Sequence, residues 1–321
     1  MIDYTVTEKK DTRSGYGLGL LEAGRCNPNV VALTADLRDS VKMGAFAKAY
    51  PERFFEVGIA EANMIGIAAG LAINGKIPFA STFANFATAR VYDQIRQSVA
   101  YSQKNVKIAA THAGLTVGED GATHQTLEDI GLMKMLPDMT IVVPCDHNQA
   151  YQATLAIAEW QGPCYLRLGR PEVPNFTSKD DDFHIGKGIV LHEGRDVAVF
   201  TCGHLVYPAL LAAEELAKQN IHVSVINIHT IKPLDTELIL SQALKTGAVV
   251  TVEEHSIYGG LGDSIANLLS RTAPTPIEML AVKDRFGESG KPQELLDLHH
   301  LNVTGIVHAV QNAKNRKNGN E

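Results

Sequence analysis

The sequence has 321 residues, a length typical of about two domains, and its 45% hydrophobic and 20% charged residues are ordinary for a globular protein. No apolar run reaches the roughly 18 residues of a membrane span, and the N-terminus lacks the features of a signal peptide. The net charge of −7 argues against a nucleic-acid surface, which needs clustered Lys and Arg. The four cysteines form no Cys-x-x-Cys pair for zinc or redox chemistry. These features predict a cytoplasmic protein of two domains.

Short β-branched runs alternate with helical patterns in the first half of the chain, which is typical of a parallel α/β sheet. We predict strands at 30–34, 76–79, 108–111 and 140–144, and helices at 15–26, 40–49, 60–74, 89–100 and 148–160. Together they predict a doubly wound first domain.

A polar stretch with two prolines, at 171–182, interrupts this pattern and predicts a linker. Beyond it we predict strands at 196–201, 222–226 and 248–253, and helices at 206–219, 236–245 and 262–270. The expected organisation is a first domain at 1–175, a linker at 176–187 and a smaller α/β domain at 188–321.

The first candidate site residue is Glu61, which follows a short strand and a glycine turn and enters a very apolar helix. A negative charge near a helix N-terminus is favourable because it meets the positive end of the peptide dipoles. From the local sequence alone this electrostatic role is the simpler explanation, and a functional carboxylate is the alternative.

The segment from Thr111 to Gln125 collects His112, Asp120 and His124 together with several glycines, directly after a predicted strand. Open α/β sheets bind ligands at the carboxyl ends of their strands, so a polar loop here is a candidate site. Gly-Glu-Asp-Gly is also an ordinary turn sequence, and both explanations stay open.

Phe83 and Phe86 lie close together in a sequence with only 6% aromatic residues, and their spacing of three places them on one side. Core packing is the usual role of Phe. A stacking platform for a flat heteroaromatic ring is the alternative.

Two other patterns do not predict a site. Gly259-Gly260-Leu261-Gly262 lacks the last glycine of a dinucleotide-binding motif, because that position is Ile265. His255, His299, His300 and His308 lack the spacing of a metal site, so we predict no metal ligands in this chain.

Taken together, the pieces resemble the transketolase family from about Thr12 to Val310. Four motifs carry the resemblance, in the family's order: Gly58-Ile59-Ala60-Glu61-Ala62-Asn63-Met64, Gly118-Glu119-Asp120-Gly121-Ala122-Thr123-His124-Gln125, Thr230-Ile231-Lys232-Pro233-Leu234-Asp235 and Ser289-Gly290-Lys291-Pro292. The resemblance implies a pyrimidine-binding domain followed by a transketolase C-terminal domain. The family's diphosphate motif, Gly-Asp-Gly with a downstream Asn, does not occur.

The resemblance also implies roles for single residues. Glu61 matches the carboxylate that shares a proton with the aminopyrimidine ring of thiamine diphosphate, and so assists deprotonation of the cofactor's reactive carbon. Phe83 and Phe86 match the ring-stacking aromatics, although the third aromatic of some transketolases is not evident around Ala89. The residues that match the family's substrate contacts are Ser40, His112, Asp120, His124 and Arg170, with His124 also expected to take part in catalysis.

By the same resemblance the cofactors are thiamine diphosphate and magnesium, whose ligands are expected on a separate N-terminal subunit. The chain is thus expected to be the C-terminal subunit of a split transketolase, a heterotetramer of two copies of each subunit acting on sugar phosphates. The second domain is expected to provide packing and dimer contacts.

Three alternatives remain: a deoxyxylulose-phosphate-synthase-like enzyme, the beta subunit of a 2-oxo-acid dehydrogenase, and a non-catalytic paralogue. Retention of Glu61, Asp120, His124 and Arg170 argues against the last. An unusual sugar phosphate as the substrate also stays open.

Overall fold

The structure is a computed structural model that describes residues 4–6 and 8–319. The part of the chain up to residue 175, here the N-terminal half, contains these strands and helices: β1 Glu8–Asp11, α1 Thr12–Cys26, β2 Val30–Thr34, α2 Gly44–Ala49, β3 Phe54–Glu56, α3 Glu61–Ile73, β4 Ile77–Phe83, α4 Ala84–Ala87, α5 Tyr92–Gln94, β5 Lys107–Thr111, α6 Asp129–Lys134, β6 Thr140–Val142, α7 His147–Glu159, β7 Cys164–Arg167 and β8 Glu172–Asn175.

No helix or strand occurs between residues 176 and 188. The part that follows, here the C-terminal half, contains β9 Ile189–His192, β10 Val197–Thr201, α8 Val206–Ala217, β11 Val223–Asn227, β12 Thr230–Lys232, α9 Thr236–Thr246, β13 Val249–Ser256, α10 Leu261–Thr272, β14 Ile277–Val282, α11 Pro292–Leu298 and α12 Val303–Lys317. None of the helices within the described residues is long and apolar enough to cross a membrane.

The main sheet of the N-terminal half has seven strands in the order β12-β6-β7-β5-β4-β2-β3. All neighbours pair in parallel except β12 and β6. Successive residues of β2 enter opposite clusters: Val31 and Leu33 pack into one, Val30 and Ala32 into the other. Because both faces are covered, the strand is apolar from Val30 to Leu33, as in other buried parallel sheets. The prediction of an α/β fold is confirmed.

The two halves are joined by a shared sheet and a shared apolar core. Strand β12 belongs to the C-terminal half by sequence, yet it pairs antiparallel with β6 and forms an edge of the N-terminal sheet. The other strands of the C-terminal half form a five-stranded sheet, β14-β13-β10-β11-β9. One apolar cluster continues from Ile108 and Val143 to Phe200 and Ile228, so the halves pack through a continuous core.

Two predicted helices differ from the structure. The first begins at Gly44 rather than residue 40, because residues 40–42 lie in a turn in which Lys42 has a φ of 64°. The helix predicted at 89–100 is divided into a 3₁₀ turn at Ala89–Val91, α5, and a π-helical segment at Ile95–Tyr101. Irregular helix of this kind often lies near functional sites.

Candidate active site

The predicted site residues converge because five adjacent parallel strands end at one edge of the main sheet. The segments that leave the carboxyl ends of β3, β2, β4, β5 and β7 carry, in that order, Glu61, Ser40, the pair Phe83 and Phe86, the loop from His112 to Gln125, and Arg170. Open α/β sheets bind ligands at this edge.

Glu61 is the first residue of α3 and is only 6% exposed. Its Oε1 accepts a hydrogen bond from Arg90 Nη1 at 2.9 Å. Arg90 follows Phe86 by four residues, and its guanidinium carbon lies 3.9 Å from the centre of the Phe86 ring. The carboxylate, the cation and the aromatic ring therefore form one contact chain, stabilised by an ion pair and a cation–π interaction.

Phe83 and Phe86 are stacked, with ring centroids 5.7 Å apart and an angle of 23° between the rings. Histidines lie beside both rings. The centroid distance is 3.8 Å from Phe83 to His112 and 5.5 Å from Phe86 to His124. The aromatic pair thus lies between two imidazoles rather than in an apolar core, which favours the stacking interpretation of the pair.

His112 is buried and held as a neutral ring. Arg13 Nη1 lies 3.4 Å from its Nε2, and because a guanidinium can only donate, Nε2 is the acceptor. The proton therefore lies on Nδ1, which contacts Thr111 Oγ1 at 2.8 Å. Burial, reinforced by the charges of Arg13, Arg170 and Lys42, lowers the pKa of His112 from 6.5 to about 3.

Two arginines lie together beside His112. Arg13 donates from Nη2 to the backbone carbonyl of Arg170 at 2.9 Å and from Nη1 to that of Ser40 at 3.0 Å. Arg170 donates to the carbonyl of Val117 and pairs with Glu119 Oε2 at 3.0 Å. Arg13 likewise has an acidic partner, since its Nε lies 3.2 Å from Asp11 Oδ1, so the site presents two guanidinium groups that are each paired with one carboxylate.

Two of the predicted site residues, Ser40 and Asp120, make fewer side-chain contacts with the rest of the site. Ser40 reaches this group through its backbone carbonyl. Asp120 is exposed, and among the described residues it forms no hydrogen bond or ion pair with the other predicted site side chains. His124 contacts Thr123 Oγ1 at 3.0 Å through Nδ1, in addition to its contact with Phe86.

The loop from His112 to Thr126, here the 112–126 loop, is held internally by Gln125. Its Nε2 donates to the carbonyls of Leu115, Gly118 and Glu288, at 3.1, 3.3 and 2.9 Å. The last of these lies in the C-terminal half. Gly121 also approaches that half, because a Cβ there would lie 2.4 Å from Ser289 Oγ. The second and fourth sequence motifs therefore meet in space.

Comparison with known proteins identifies the family. The family model described as the transketolase pyrimidine binding domain matches residues 8–175, and that of the transketolase C-terminal domain matches residues 186–306. The chain belongs to the transketolase family.

Individual relatives of the chain include both split and long transketolases. It is 44% identical to a 6-deoxy-6-sulfo-D-fructose transketolase subunit from Clostridium sp. (strain MSTE9), over 93% of each chain. It is 38% identical to mouse transketolase, over 96% of this chain and 50% of that protein. A solved split-gene transketolase, described as an inactive beta4 tetramer, is 48% identical with a TM-score of 0.91, and the match covers 96% of this chain and 99% of that one. The predicted relation to split transketolase subunits is confirmed.

Transketolases use thiamine diphosphate, and the residues present fit the pyrimidine part of that cofactor. The ring needs a carboxylate beside a ring nitrogen and a flat apolar surface. Glu61 and the stacked pair Phe83 and Phe86 offer both, linked to each other by Arg90. Within residues 4–6 and 8–319 no three His, Cys, Asp or Glu side chains cluster as metal ligands. The location of the magnesium ligands on another subunit stays a prediction.

Four residues that contact the site were not predicted from the sequence: Arg13, Arg90, Gln125 and Glu254, whose Oε1 accepts a hydrogen bond from the backbone N–H of Thr116 in the 112–126 loop. Gln125 lies within a recognised motif, and Arg90 follows the aromatic pair by one helical turn, so both had a local signal. Arg13 and Glu254 had none, because their contacts with the 112–126 loop join distant parts of the chain.

Proposed function

We propose that this chain is the C-terminal subunit of a two-chain transketolase that depends on thiamine diphosphate. With an N-terminal subunit that binds the diphosphate and magnesium, it transfers a two-carbon ketol unit from a ketose phosphate to an aldose phosphate. The observation that carries the proposal is the contact chain of Glu61, Arg90 and Phe86 at the strand edge that also presents His112 and Arg170. A cytoplasmic location and a heterotetramer of two copies of each subunit complete the proposal.

Glu61, Phe83 and Phe86 would hold the aminopyrimidine ring. When bound, the cofactor supplies the nucleophilic carbon that accepts the two-carbon unit. The role of Glu61 is to share a proton with the ring nitrogen, which requires a carboxyl shielded from water. Its burial at the start of α3 meets that requirement.

The remaining residues would bind and orient the sugar. His112 and His124 flank the aromatic pair, where the imidazole nitrogens would meet the hydroxyl groups of the sugar. Arg170 and Arg13 would hold the anionic end of the substrate, and Asp120 and Ser40 lie on the adjoining segments. A guanidinium fork suits a terminal phosphate and equally a sulfonate.

The proposal is tested by reconstitution. The purified chain is combined with a transketolase N-terminal subunit, thiamine diphosphate and magnesium, and supplied with D-xylulose 5-phosphate and D-ribose 5-phosphate. We expect mass spectrometry to detect ketol transfer with both subunits present and none with either alone. Turnover by this chain alone, or no transfer by a complex that binds the cofactor, contradicts the proposal.

The anionic end of the donor distinguishes two substrate classes. One relative is named for 6-deoxy-6-sulfo-D-fructose, so the assay is repeated with that ketose beside D-fructose 6-phosphate. A higher kcat/KM for the sulfonate would assign the chain to sulfo-sugar metabolism. Light scattering of the reconstituted complex tests the two-plus-two assembly, which a fully active one-to-one heterodimer would contradict.

A further inference from the structure

We propose that Glu254, in the C-terminal half, is a positioning residue that fixes the backbone of the 112–126 loop and thereby the side chains that bind the sugar. This inference rests on the proposed function for its effect on turnover, and on the contacts alone for its effect on the loop. It assigns the C-terminal half a part in substrate binding beyond packing and dimer contacts.

The 112–126 loop has an irregular backbone that satisfies only part of its own polar groups: the N–H groups of Gly114, Gly118 and Gly121 donate to carbonyls within the loop, whereas that of Thr116 donates outside it. Its φ angles are positive at His112, Gly114, Gly118 and Gly121, and its regular structure is one 3₁₀ turn at Leu115–Val117. Such a segment leaves backbone N–H groups that need partners outside the loop.

Glu254 supplies one of these partners from β13. Its Oε1 accepts a hydrogen bond from the backbone N–H of Thr116 at 2.6 Å, in a fully buried environment. Gly114 lies directly against the carboxylate: a Cβ there would be 2.3 Å from Glu254 Cδ. The glycine therefore makes room for this particular side chain, and the close approach is specific to the pair.

Glu254 is itself held both by its side chain and by its backbone. Its Oε2 contacts His204 Nε2 at 2.7 Å, and the backbone carbonyl of Glu254 accepts from Arg167 Nη2 at 2.9 Å. Burial alone would disfavour the charge, but His204, Arg167 and the Thr116 N–H together lower the pKa of Glu254 below its usual value. The group is therefore an anion, which strengthens its bond to the amide.

The same network reaches the far end of the loop. Arg167 forms a buried two-point ion pair with Asp129, the first residue of α6, through Nε at 2.7 Å and Nη2 at 3.1 Å. Glu254 thus connects the middle of the loop to the arginine that anchors the helix after it. His112, Asp120 and His124 lie along the segment that this network restrains.

The neighbouring Glu253 provides a matched control. It is equally buried on the same strand, but it accepts from the N–H groups of Leu261 and Gly262, both at 2.7 Å, and so caps α10. Loss of either carboxylate removes a buried, charged hydrogen-bond acceptor. Of these two carboxylates, Glu254 is the one whose hydrogen bonds within the described residues include the 112–126 loop.

The experiment compares Glu254→Ala, Glu254→Gln and Glu253→Ala in the full chain, alone and reconstituted. With D-xylulose 5-phosphate as the probe, we expect Glu254→Ala to raise KM by about tenfold to a hundredfold, the range for a charge-assisted hydrogen bond, with a smaller change in kcat. The Kd for thiamine diphosphate should stay near the wild-type value. Glu254→Gln keeps an acceptor oxygen and should recover part of the loss. Glu253→Ala should lower the Tm without raising KM.

Hydrogen–deuterium exchange of the chain alone gives a readout independent of catalysis. Exchange should accelerate across residues 112–126 in the Glu254 variants, and at the start of α10 in Glu253→Ala. A Glu254 variant with wild-type loop exchange and KM, or with the same changes as Glu253→Ala, overturns the inference. If Glu254→Ala does not fold, Glu254→Gln decides by the same criteria. A wild-type complex without ketol transfer would refute the proposed function, while the exchange data would still decide the role of Glu254.

Discussion

Glu61 and Arg90 form an ion pair with an Oε1–Nη1 distance of 2.9 Å, in which the carboxylate is buried and the guanidinium is half exposed. The same guanidinium covers Phe86. It therefore contacts two of the three residues that are proposed to hold the aminopyrimidine ring. This geometry makes Glu61 and Arg90 the two most informative positions to change.

Glu61→Gln tests whether the carboxylate serves catalysis or only helix electrostatics. The amide keeps the shape but removes the ionisable proton, so turnover of the reconstituted complex should fall by about two to four orders of magnitude. A helix-start charge alone would account for a few tenths to about 1 kcal/mol of stability, with turnover nearly intact. Turnover is measured at saturating cofactor, together with the Tm.

Glu237→Gln is the matched control, because Glu237 is an exposed acidic residue in the first turn of α9. It should show the small stability effect without loss of turnover. A folded Glu61→Gln variant with near wild-type turnover would reject the catalytic assignment.

Arg90→Met should tighten binding of thiamine diphosphate to the reconstituted complex. The cofactor ring must replace the guanidinium at Glu61 Oε1 or on Phe86, and the variant removes that competition. Partly exposed ion pairs contribute about 0.2–1 kcal/mol, so the Kd should fall by up to about fivefold. Isothermal titration calorimetry measures it. Weaker binding would show instead that Arg90 stays in place and contributes to the site.

The sequence predicted those elements of the fold and those site residues that are encoded by neighbouring residues in the chain. Strand β2 has four consecutive apolar residues and β5 has three, and Glu61 stands at a recognisable glycine turn before an apolar helix. Strand β7 was not predicted, although it lies between β6 and β5. It is only four residues long and ends in a buried arginine, which is acceptable there because Asp129 neutralises it.

Contacts between distant residues could not be predicted in this way. Arg90 and Glu61 are 29 residues apart, and Glu254 and Thr116 are 138 residues apart. The pairing of β12 with β6 likewise joins the two halves, and no local period encodes it. The assignments of Glu61, His124 and the substrate-binding residues to specific roles remain predictions for the experiments described here.

His112 should remain neutral at every pH at which the complex is active, because its pKa is lowered to about 3. Nuclear magnetic resonance of the labelled ring should show no titration between pH 5 and 8. His112→Gln identifies the signal. A ring that titrates near pH 6.5 would contradict the structure.

The same shift predicts the direction of a pH effect on stability. Below pH 6.5 the unfolded chain protonates His112, whereas the folded protein does not until about pH 3. The contribution of His112 is therefore complete above pH 6.5 and is lost as the pH falls toward 3. Relative to His112→Gln, the wild-type free energy of unfolding should decrease by at most about 1.4 kcal/mol per pH unit over that window. Urea unfolding at pH 7.5, 6 and 5 measures the difference.

Substitutions at Gln125 test whether its side chain holds the 112–126 loop in place. One variant adds a negative charge at this position and the other does not. The Nε2 of Gln125 donates to three carbonyl oxygens, so Gln125→Glu would place a buried carboxylate against acceptors that offer it no proton. Gln125→Met loses the same hydrogen bonds without adding charge, and is the matched control. At pH 7.5 the Glu variant should be less stable than the Met variant by about 1–3 kcal/mol and should have the higher KM for D-xylulose 5-phosphate.

The two Gln125 variants should converge as the pH is lowered. Burial raises the pKa of an introduced carboxyl group, and once protonated the group again donates one hydrogen bond to the loop carbonyls. We therefore expect the difference in Tm between the Glu and Met variants to shrink between pH 7.5 and 5.5, while the Met variant follows the wild type. If the difference were the same at both pH values, the side chain would not face the three carbonyls, and the 112–126 loop would be held by other contacts.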